Sequence, residues 1–279
     1  WPAGSLNVLP MNASLAHLLL EDDRIQMVTF TGSPEVGWAI KNKSGRKRVT
    51  LELGGNAGVI IHDDADIDYA ARRCVTGGFT QSGQSCISVQ RIYLHENIYH
   101  SFMDIFLPLV RALKSGDPAQ ADTFIGPIIN QAEAERVENW LNEARRGGAK
   151  ILAGGTIQGK MMQPTVLTDV DPDMRVSCKE VFAPLVVVYK YKDINDALTR
   201  VNDSEYGLQA GLFTDNVKII FKAYDILEVG GVIVGDVPTF RIDHMPYGGT
   251  KLSGMGREGV RFAIEEMTEP KLLVMNTGV

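Results

Sequence analysis

The stretch Ile25-Gln26-Met27-Val28-Thr29-Phe30-Thr31-Gly32-Ser33-Pro34-Glu35 carries a β-rich run through a Gly/Pro turn and out into a helix-compatible segment. Ile25 to Phe30 reads as a strand. Thr31-Gly32-Ser33-Pro34 is a turn that sets Pro34 near a helix start, where a missing N–H costs nothing, and Glu35 to Lys43 is the helix. Val49 to Leu53 follows as a second strand, closed by Gly54-Gly55. Strand, helix and strand in that order are the unit of an α/β fold with a largely parallel sheet.

The same alternation continues along the chain. Asp66 can cap a helix running through Ala70, Ala71 and Cys74, Gln81-Ser82-Gly83-Gln84-Ser85 forms a polar loop into Cys86, and Ile87 to Leu94 is a strand. Asn130, with Glu133 three residues on, opens a helix to Arg146; its Val137, Trp140, Leu141 and Ala144 share one face and read as core, and Gly147-Gly148 ends it. Strands at Leu185 to Tyr191, Leu208 to Phe213 and Val232 to Val234 alternate with helices at Ile194 to Asn202 and Val217 to Glu228. No Ser/Gly/Pro-rich linker and no repeat divides the chain. The expected domain boundary is therefore a change of topology just after Gly54-Gly55.

At 279 residues, 44% hydrophobic and 22% charged, the chain can bury a substantial core. A formal net charge of −6 attracts neither phosphate backbones nor anionic lipid, which sets nucleic acid and membrane surfaces aside as partners. Apolar runs such as Leu185-Val186-Val187-Val188 fall far short of the roughly 20 residues that cross a bilayer. Cys74, Cys86 and Cys178 are odd in number and lack C-x-x-C spacing, which points to a reducing, cytoplasmic compartment. His17, His62, His95, His100 and His244 form no i, i+4 pair and no group with the cysteines, so no metal is expected. Trp1-Pro2-Ala3-Gly4 shows neither an initiator Met nor a signal pattern, and the chain reads as part of a longer one.

Two residues carry the candidate chemistry. Cys86 lies between the polar loop and a strand, with Gly77, Gly78 and Gly83 upstream to let backbone approach a ligand, a setting that suits a nucleophile. A free thiol titrates at about 8.5, so loop N–H groups would have to stabilise its anion. The alternative for Cys86, and the reading given to Cys74 and Cys178, is a small buried hydrophobe. Glu52 is flanked by leucines in Thr50-Leu51-Glu52-Leu53-Gly54-Gly55, where an apolar setting would raise its pKa towards neutrality and suit it as a general base for water. An outward-facing polar residue on a half-exposed strand is the other reading.

Two further segments point to a dinucleotide. Thr31-Gly32-Ser33-x-x-x-Gly37 brings a strand to a helix N-terminus, whose free N–H groups and dipole favour a pyrophosphate, although many such turns bind nothing. Glu180-Val181-Phe182-Ala183-Pro184 pairs a carboxylate able to accept from ribose hydroxyls with an aromatic able to lie against a flat ring; capping or core packing would explain it equally.

In one order, Glu52 with Gly54-Gly55, Gly83-Gln84-Ser85-Cys86, Glu180-Val181-Phe182-Ala183-Pro184, and Pro246-Tyr247-Gly248-Gly249 followed by Ser253-Gly254 resemble the NAD(P)-dependent aldehyde dehydrogenase superfamily. The likeness covers essentially the whole chain and the later part of a family member. It implies an aldehyde dehydrogenase-like α/β fold, with residues 1–54 ending a Rossmann-type dinucleotide-binding sheet, 55–254 forming a catalytic domain, and 255–279 a returning helix and oligomerisation strand. It implies Cys86 as the nucleophile, Glu52 as the base, Gly32 and Ser33 at the pyrophosphate of NAD or NADP, Glu180 on the nicotinamide ribose, and Phe182 and Leu53 beside the cofactor. The implied reaction oxidises a small aldehyde to a carboxylic acid. Cys86 adds to the carbonyl carbon, its backbone N–H holds the oxyanion, a hydride leaves for the nicotinamide, and water activated by Glu52 hydrolyses the thioester. The glutamate favours hydrolysis over acyl transfer to coenzyme A.

The resemblance sets expectations beyond this centre. The family's oxyanion-hole asparagine and adenosine-ribose lysine would lie upstream of Trp1, so the chain alone is expected to be inactive. Ala183 stands for a commoner glycine and Gly235 for a frequent asparagine. Lys271 to Asn276 reads as an edge strand that would pair across a subunit interface in a homodimer or homotetramer. Arg241-Ile242-Asp243-His244 resembles a subgroup acting on small anionic or hydroxylated aldehydes such as phosphonoacetaldehyde and lactaldehyde. Arg241 would pair either with an anionic substrate group or, as an ordinary ion pair, with Asp243 or Asp236. Two rivals stand beside this reading: a thiol hydrolase joining Cys86 to His62 or His95, and a scaffold module that keeps the fold without turnover.

Overall fold

A computed structural model of the chain describes residues 1–278; Val279, the end of the 255–279 segment, lies outside the described residues. The opening unit forms as β1 (Met27–Thr31), α1 (Pro34–Lys43) and β2 (Arg48–Glu52). The two strands are parallel, with Met27 opposite Arg48 and Thr31 opposite Glu52. Ser33 is the N-cap of α1 and accepts from Val36 N–H at 3.4 Å, and Pro34 occupies the first turn, which needs no donor from it. Val49, Leu51 and Leu53 bury themselves against Val28, Phe30, Trp38 and Met255.

After Gly54-Gly55 the chain enters a second sheet. It contains β3 (Ala57–Ile61), α2 (Ile67–Phe79), β4 (Val89–His95), α3 (Tyr99–Arg111), α4 (Gln131–Arg146), β5 (Lys150–Ala153), β6 (Thr165–Thr168), β7 (Leu185–Tyr191), α5 (Ile194–Asn202), β8 (Gln209–Phe213), α6 (Val217–Ile226) and β9 (Gly231–Val234). The strand order is β9-β8-β3-β4-β7-β6-β5, and every pair is parallel except β5 with β6. Side chains alternate across β7. Val186 and Val188 pack with Phe79 of α2 and with Phe102 and Phe106 of α3, whereas Leu185, Val187 and Tyr189 pack with Val137 and Leu141 of α4 and Leu198 of α5. Helices thus cover both faces, which is why this strand reads as an unbroken apolar run. The chain finally returns to the first sheet, where β10 (Gly254–Met255) pairs antiparallel with β2 and sets Gly254 opposite Glu52; α7 (Val260–Met267) follows.

Several features differ from the sequence reading. The strands β3, β5 and β6 and the helix α3 were not marked by sequence pattern. In β3, Gly58 interrupts the apolar run because a Cβ there would sit 3.0 Å from Val201 Cγ2 of α5, and in α3 the internal Pro108 weakens the helical signal. Gly77 and Gly78 line no ligand loop: both lie inside α2. A Cβ on Gly77 would meet Val89 Cγ2 at 2.9 Å and one on Gly78 would meet Val186 Cγ1 at 2.7 Å, so these glycines let the helix settle on the sheet. Lys271 to Asn276 forms no strand in the single chain and pairs with no other segment among the described residues, leaving Leu272 85% and Leu273 80% exposed. Among the described residues no helix is long and apolar enough to cross a membrane.

Candidate active site

Cys86 is delivered by a short, constrained turn. Between α2 and β4 the backbone passes through three consecutive left-handed residues, Gln81 (φ 54°), Ser82 (φ 58°) and Gly83 (φ 67°), a conformation that costs a non-glycine residue on the order of 1 kcal/mol. The segment 126–129 holds the turn in place: Gly126 N–H donates to Ser82 Oγ at 2.9 Å, and Ile129 N–H donates to Gln84 Oε1 at 2.9 Å. At Gly83 a Cβ would lie 2.2 Å from the Ala183 carbonyl oxygen, so only glycine lets this turn touch the 180–184 segment. The Cys86 side chain is half-buried, and its Sγ lies 3.3 Å from Tyr247 Oη. Burial pushes the thiol up, the Tyr247 hydrogen bond opposes that, and the carboxyls of Glu180 and Glu52 add to the upward push.

Glu52, a residue 4% exposed, ends β2 with a buried carboxyl group, neither of whose oxygens has a hydrogen-bond partner among the described residues. Desolvation, with help from Glu258 and against Arg241 and Arg257, raises its pKa from 4.5 to about 8. The half-exposed reading of this strand position is therefore wrong, because β10 and the turn 246–249 cover it. A Cβ on Gly248 would lie 3.0 Å from Glu52 Oε1, and Tyr247 next to it touches the Cys86 sulfur. The carboxyl and the thiol thus meet the same glycine turn. Ser253 fastens this region to β2, donating from Oγ to Gly54 O at 2.7 Å while its own carbonyl accepts Leu53 N–H at 2.9 Å.

The residues singled out for a dinucleotide gather along the adjoining edge. Gly32 N–H donates to Glu52 O at 3.1 Å, Ser33 caps α1, and Leu53 packs against Gly37 of that helix. Glu180 takes Gly55 N–H on Oε1 at 2.8 Å and leans over Gly54, where a Cβ would lie 2.4 Å from Oε2; burial raises its pKa to about 7. A Cβ on Gly55 would lie 2.0 Å from Cys86 O, so the same pair of glycines touches both the carboxylate and the thiol loop. Phe182 is held at φ 52° with 38% of its surface exposed, and its neighbour Val181 is clamped by Gln90 Oε1 on its N–H (3.0 Å) and Arg136 Nη2 on its carbonyl (2.8 Å).

Two expected pairings change. Arg241 pairs with neither Asp243 nor Asp236: its Nη2 donates to Glu258 at 2.8 Å and its guanidinium lies over the Tyr247 ring at 4.1 Å, while Asp236 is taken by Arg73. His62 and His95 cannot serve Cys86. They stand at the carboxyl ends of β3 and β4, whereas the cysteine precedes the amino end of β4, about 20 Å away at the rise of a strand. His62 instead hydrogen-bonds Tyr191 Oη at 2.9 Å and pairs with Asp63, and its ligand atoms fall within 4.8 Å of those of Asp63 and Asp64. Sequence reasoning gave no role to Tyr247 or Glu258. The signal available was an aromatic between glycines in Pro246-Tyr247-Gly248-Gly249, and a lone acid after Arg257.

Residues 1–273 match the model of the aldehyde dehydrogenase family. The chain is 49% identical over 276 residues to a 3-sulfolactaldehyde dehydrogenase of Priestia aryabhattai, covering 99% of this chain and 58% of that protein. Aldehyde dehydrogenase 21 of Physcomitrella patens, solved with its reaction product succinate, superposes with a TM-score of 0.93 at 44% identity over 96% of this chain and 56% of that one. Glyceraldehyde-3-phosphate dehydrogenase GapN of Methanocaldococcus jannaschii, solved with NADP, superposes with a TM-score of 0.88 at 37% identity over 91% of this chain and 55% of that one. The chain spans somewhat more than half the length of each of these proteins.

Proposed function

Because the chain belongs to the aldehyde dehydrogenase family, we propose that it supplies the thiol, the base and part of the dinucleotide site of an enzyme that oxidises a small aldehyde to a carboxylic acid with NAD or NADP. Glu52 carries the reading. A carboxyl buried at a strand end without a partner is costly, and this one shares the turn 247–248 with a thiol.

The residues present fit a dinucleotide. The ten-residue helix α1 offers its N-terminus behind Gly32 and Ser33 for the pyrophosphate, Glu180 has the room left by Gly54 to reach a ribose, and Phe182 and Leu53 supply apolar surface for the nicotinamide. When bound, that group supplies the oxidising equivalent by accepting a hydride. Cys86 as thiolate forms an S–C bond with the aldehyde carbon while the C=O electron pair moves to oxygen, and the Cys86 backbone N–H donates to the resulting oxyanion. After oxidation Cys86 holds the acyl group as a thioester. Glu52 takes a proton from water, the hydroxide adds to the acyl carbon, and the C–S bond breaks to release the acid and return the thiolate. A base with a pKa of about 8 has the affinity for a proton that this step needs near neutral pH.

The three comparison proteins are named for, or were solved with, compounds bearing a sulfonate, a phosphate or a second carboxylate. We assign the same anionic class here, with Arg241 as the ligand, since its contact with Glu258 uses only part of a five-donor guanidinium. The exposed apolar run Leu272–Met275 supports assembly as a homodimer or homotetramer, the free thiols support a reducing, cytoplasmic setting, and the change of sheet at Gly54-Gly55 supports a domain boundary there. The test is aldehyde-dependent reduction of NAD or NADP by the natural full-length protein. Cys86→Ser should abolish it, and turnover that survives the substitution would remove the proposal.

A further inference from the structure

Tyr247 is 4% exposed and has no part in the steps above, yet its Oη lies 3.3 Å from Cys86 Sγ. Its position is set from three sides. Arg241 lies over the ring at 4.1 Å, Glu258 exchanges two backbone hydrogen bonds with it, and Ile87 and Leu208 pack with it and Cys86 in one buried cluster. We infer that the Tyr247 hydroxyl is a catalytic residue of this site, donating a hydrogen bond to the Cys86 sulfur and so holding the thiolate before attack. The inference rests on the reading of Cys86 as the nucleophile.

Beside the Cys86 backbone N–H, which also favours the anion, the phenol is the group around the sulfur placed for this task. The charged groups acting on the thiol are Glu180 and Glu52, and both oppose its anion. Among the described residues, Tyr247 is the side chain that hydrogen-bonds the sulfur. A thiolate has no proton to give, so once the sulfur ionises the hydroxyl must be the donor. Burial and the neighbouring thiol push the phenol well above the ordinary tyrosine range, which favours its protonated, donating form. As the S–C bond forms, charge leaves the sulfur for the aldehyde oxygen and this hydrogen bond weakens. Tyr247 therefore raises the fraction of thiolate at a given pH and does not itself drive addition.

This separates by pH. In the natural full-length protein without dinucleotide, alkylation of Cys86 by iodoacetamide is followed by mass spectrometry of the Cys86 peptide, from about pH 6 to about pH 11. Tyr247→Phe should move the midpoint up by about one pH unit, slowing alkylation about tenfold below the midpoint while the high-pH plateau stays within about twofold. Phenylalanine keeps the ring and its contact with Arg241, so a packing role would leave the midpoint where it is, and an unmoved midpoint overturns the inference. Equal slowing at every pH overturns it as well. Should the variant fold poorly, 3-fluorotyrosine at position 247, a stronger donor of nearly the same shape, should move the midpoint down, and no movement counts against the hydrogen bond. Alkylation requires neither aldehyde nor dinucleotide, so its outcome is distinguishable from that of the Cys86→Ser test of turnover.

Discussion

Tyr247 and Glu258 face each other across two backbone hydrogen bonds, Tyr247 N–H to Glu258 O at 3.1 Å and Glu258 N–H to Tyr247 O at 2.6 Å, and Arg241 bridges their side chains. This small frame stands over both the thiol and the buried carboxyl. It adds the Arg241 cation, beside Arg257, to a site in which Glu52 and Glu180 place buried carboxyl groups.

Arg241→Ala should therefore act on substrate charge. With anionic aldehydes KM should rise by about tenfold or more, the loss of a charge-assisted contact of at least about 1.4 kcal/mol, whereas neutral aldehydes of the same size should change by less than about threefold. Steady-state kinetics on matched pairs checks this. Equal losses for both kinds would leave Arg241 as a structural partner of Tyr247 and Glu258 only.

Glu52 gives a pH prediction with a definite sign. Its folded pKa of about 8 exceeds its ordinary 4.5, so between these values the folded state binds more protons than the unfolded one, and stability falls as pH rises through that window. Glu52→Gln removes the penalty. The melting temperature of the variant should be close to that of the natural protein near pH 5 and higher at pH 8, as read by calorimetry. In the same variant deacylation should slow by about 10²- to 10⁴-fold, leaving a single burst of reduced dinucleotide; steady turnover at the natural rate would exclude Glu52 as the base.

Gly55→Ala tests the close approach that joins the two halves of the site. A Cβ there would lie 2.0 Å from Cys86 O, a backbone atom that cannot turn aside, so the loop carrying the thiol must shift. Denaturant unfolding should show a loss of about 1–3 kcal/mol, and turnover should fall more steeply than stability does. A variant with natural activity would show that the contact is slack.

Much of this was legible because period and punctuation agreed. Ser33-Pro34 opening α1, Asp66 capping α2, Asn130 accepting from Glu133 N–H at 2.8 Å and the unbroken apolar run of β7 are local signals that the folded chain honours. What stayed hidden depends on residues far apart in sequence. Nothing around Gly77-Gly78 says whether glycine serves a loop or a helix packed on a sheet, and nothing around Arg241 predicts Glu258 rather than Asp243. The half-exposed reading of Glu52 stood open beside the buried one only because the chain that covers the carboxyl arrives about two hundred residues later.

Arg91 is a case where the sequence, an arginine between Gln90 and Ile92 in a strand, gave no warning. It is 4% exposed and meets no carboxylate among the described residues. Its Nη2 donates to Asn56 O at 2.9 Å and Val201 O at 3.1 Å, and its Nη1 donates to Arg200 O at 2.8 Å and Tyr93 Oη at 3.1 Å. The cation thus terminates α5, where carbonyls and the helix dipole concentrate negative charge, and ties that end to the residue following Gly55. Arg91→Met keeps the volume and leaves the buried Asn56 and Val201 carbonyls without this donor, while Arg200 O keeps only Tyr93 Oη at 3.3 Å, at a cost on the order of 3 kcal/mol. Arg91→Lys should recover less than half of that, because one ammonium cannot reach both Asn56 and the helix end in the geometry of a planar fork. Denaturant titration of the two variants decides it. If lysine restored full stability, charge alone would account for the site, and the fork geometry would be irrelevant.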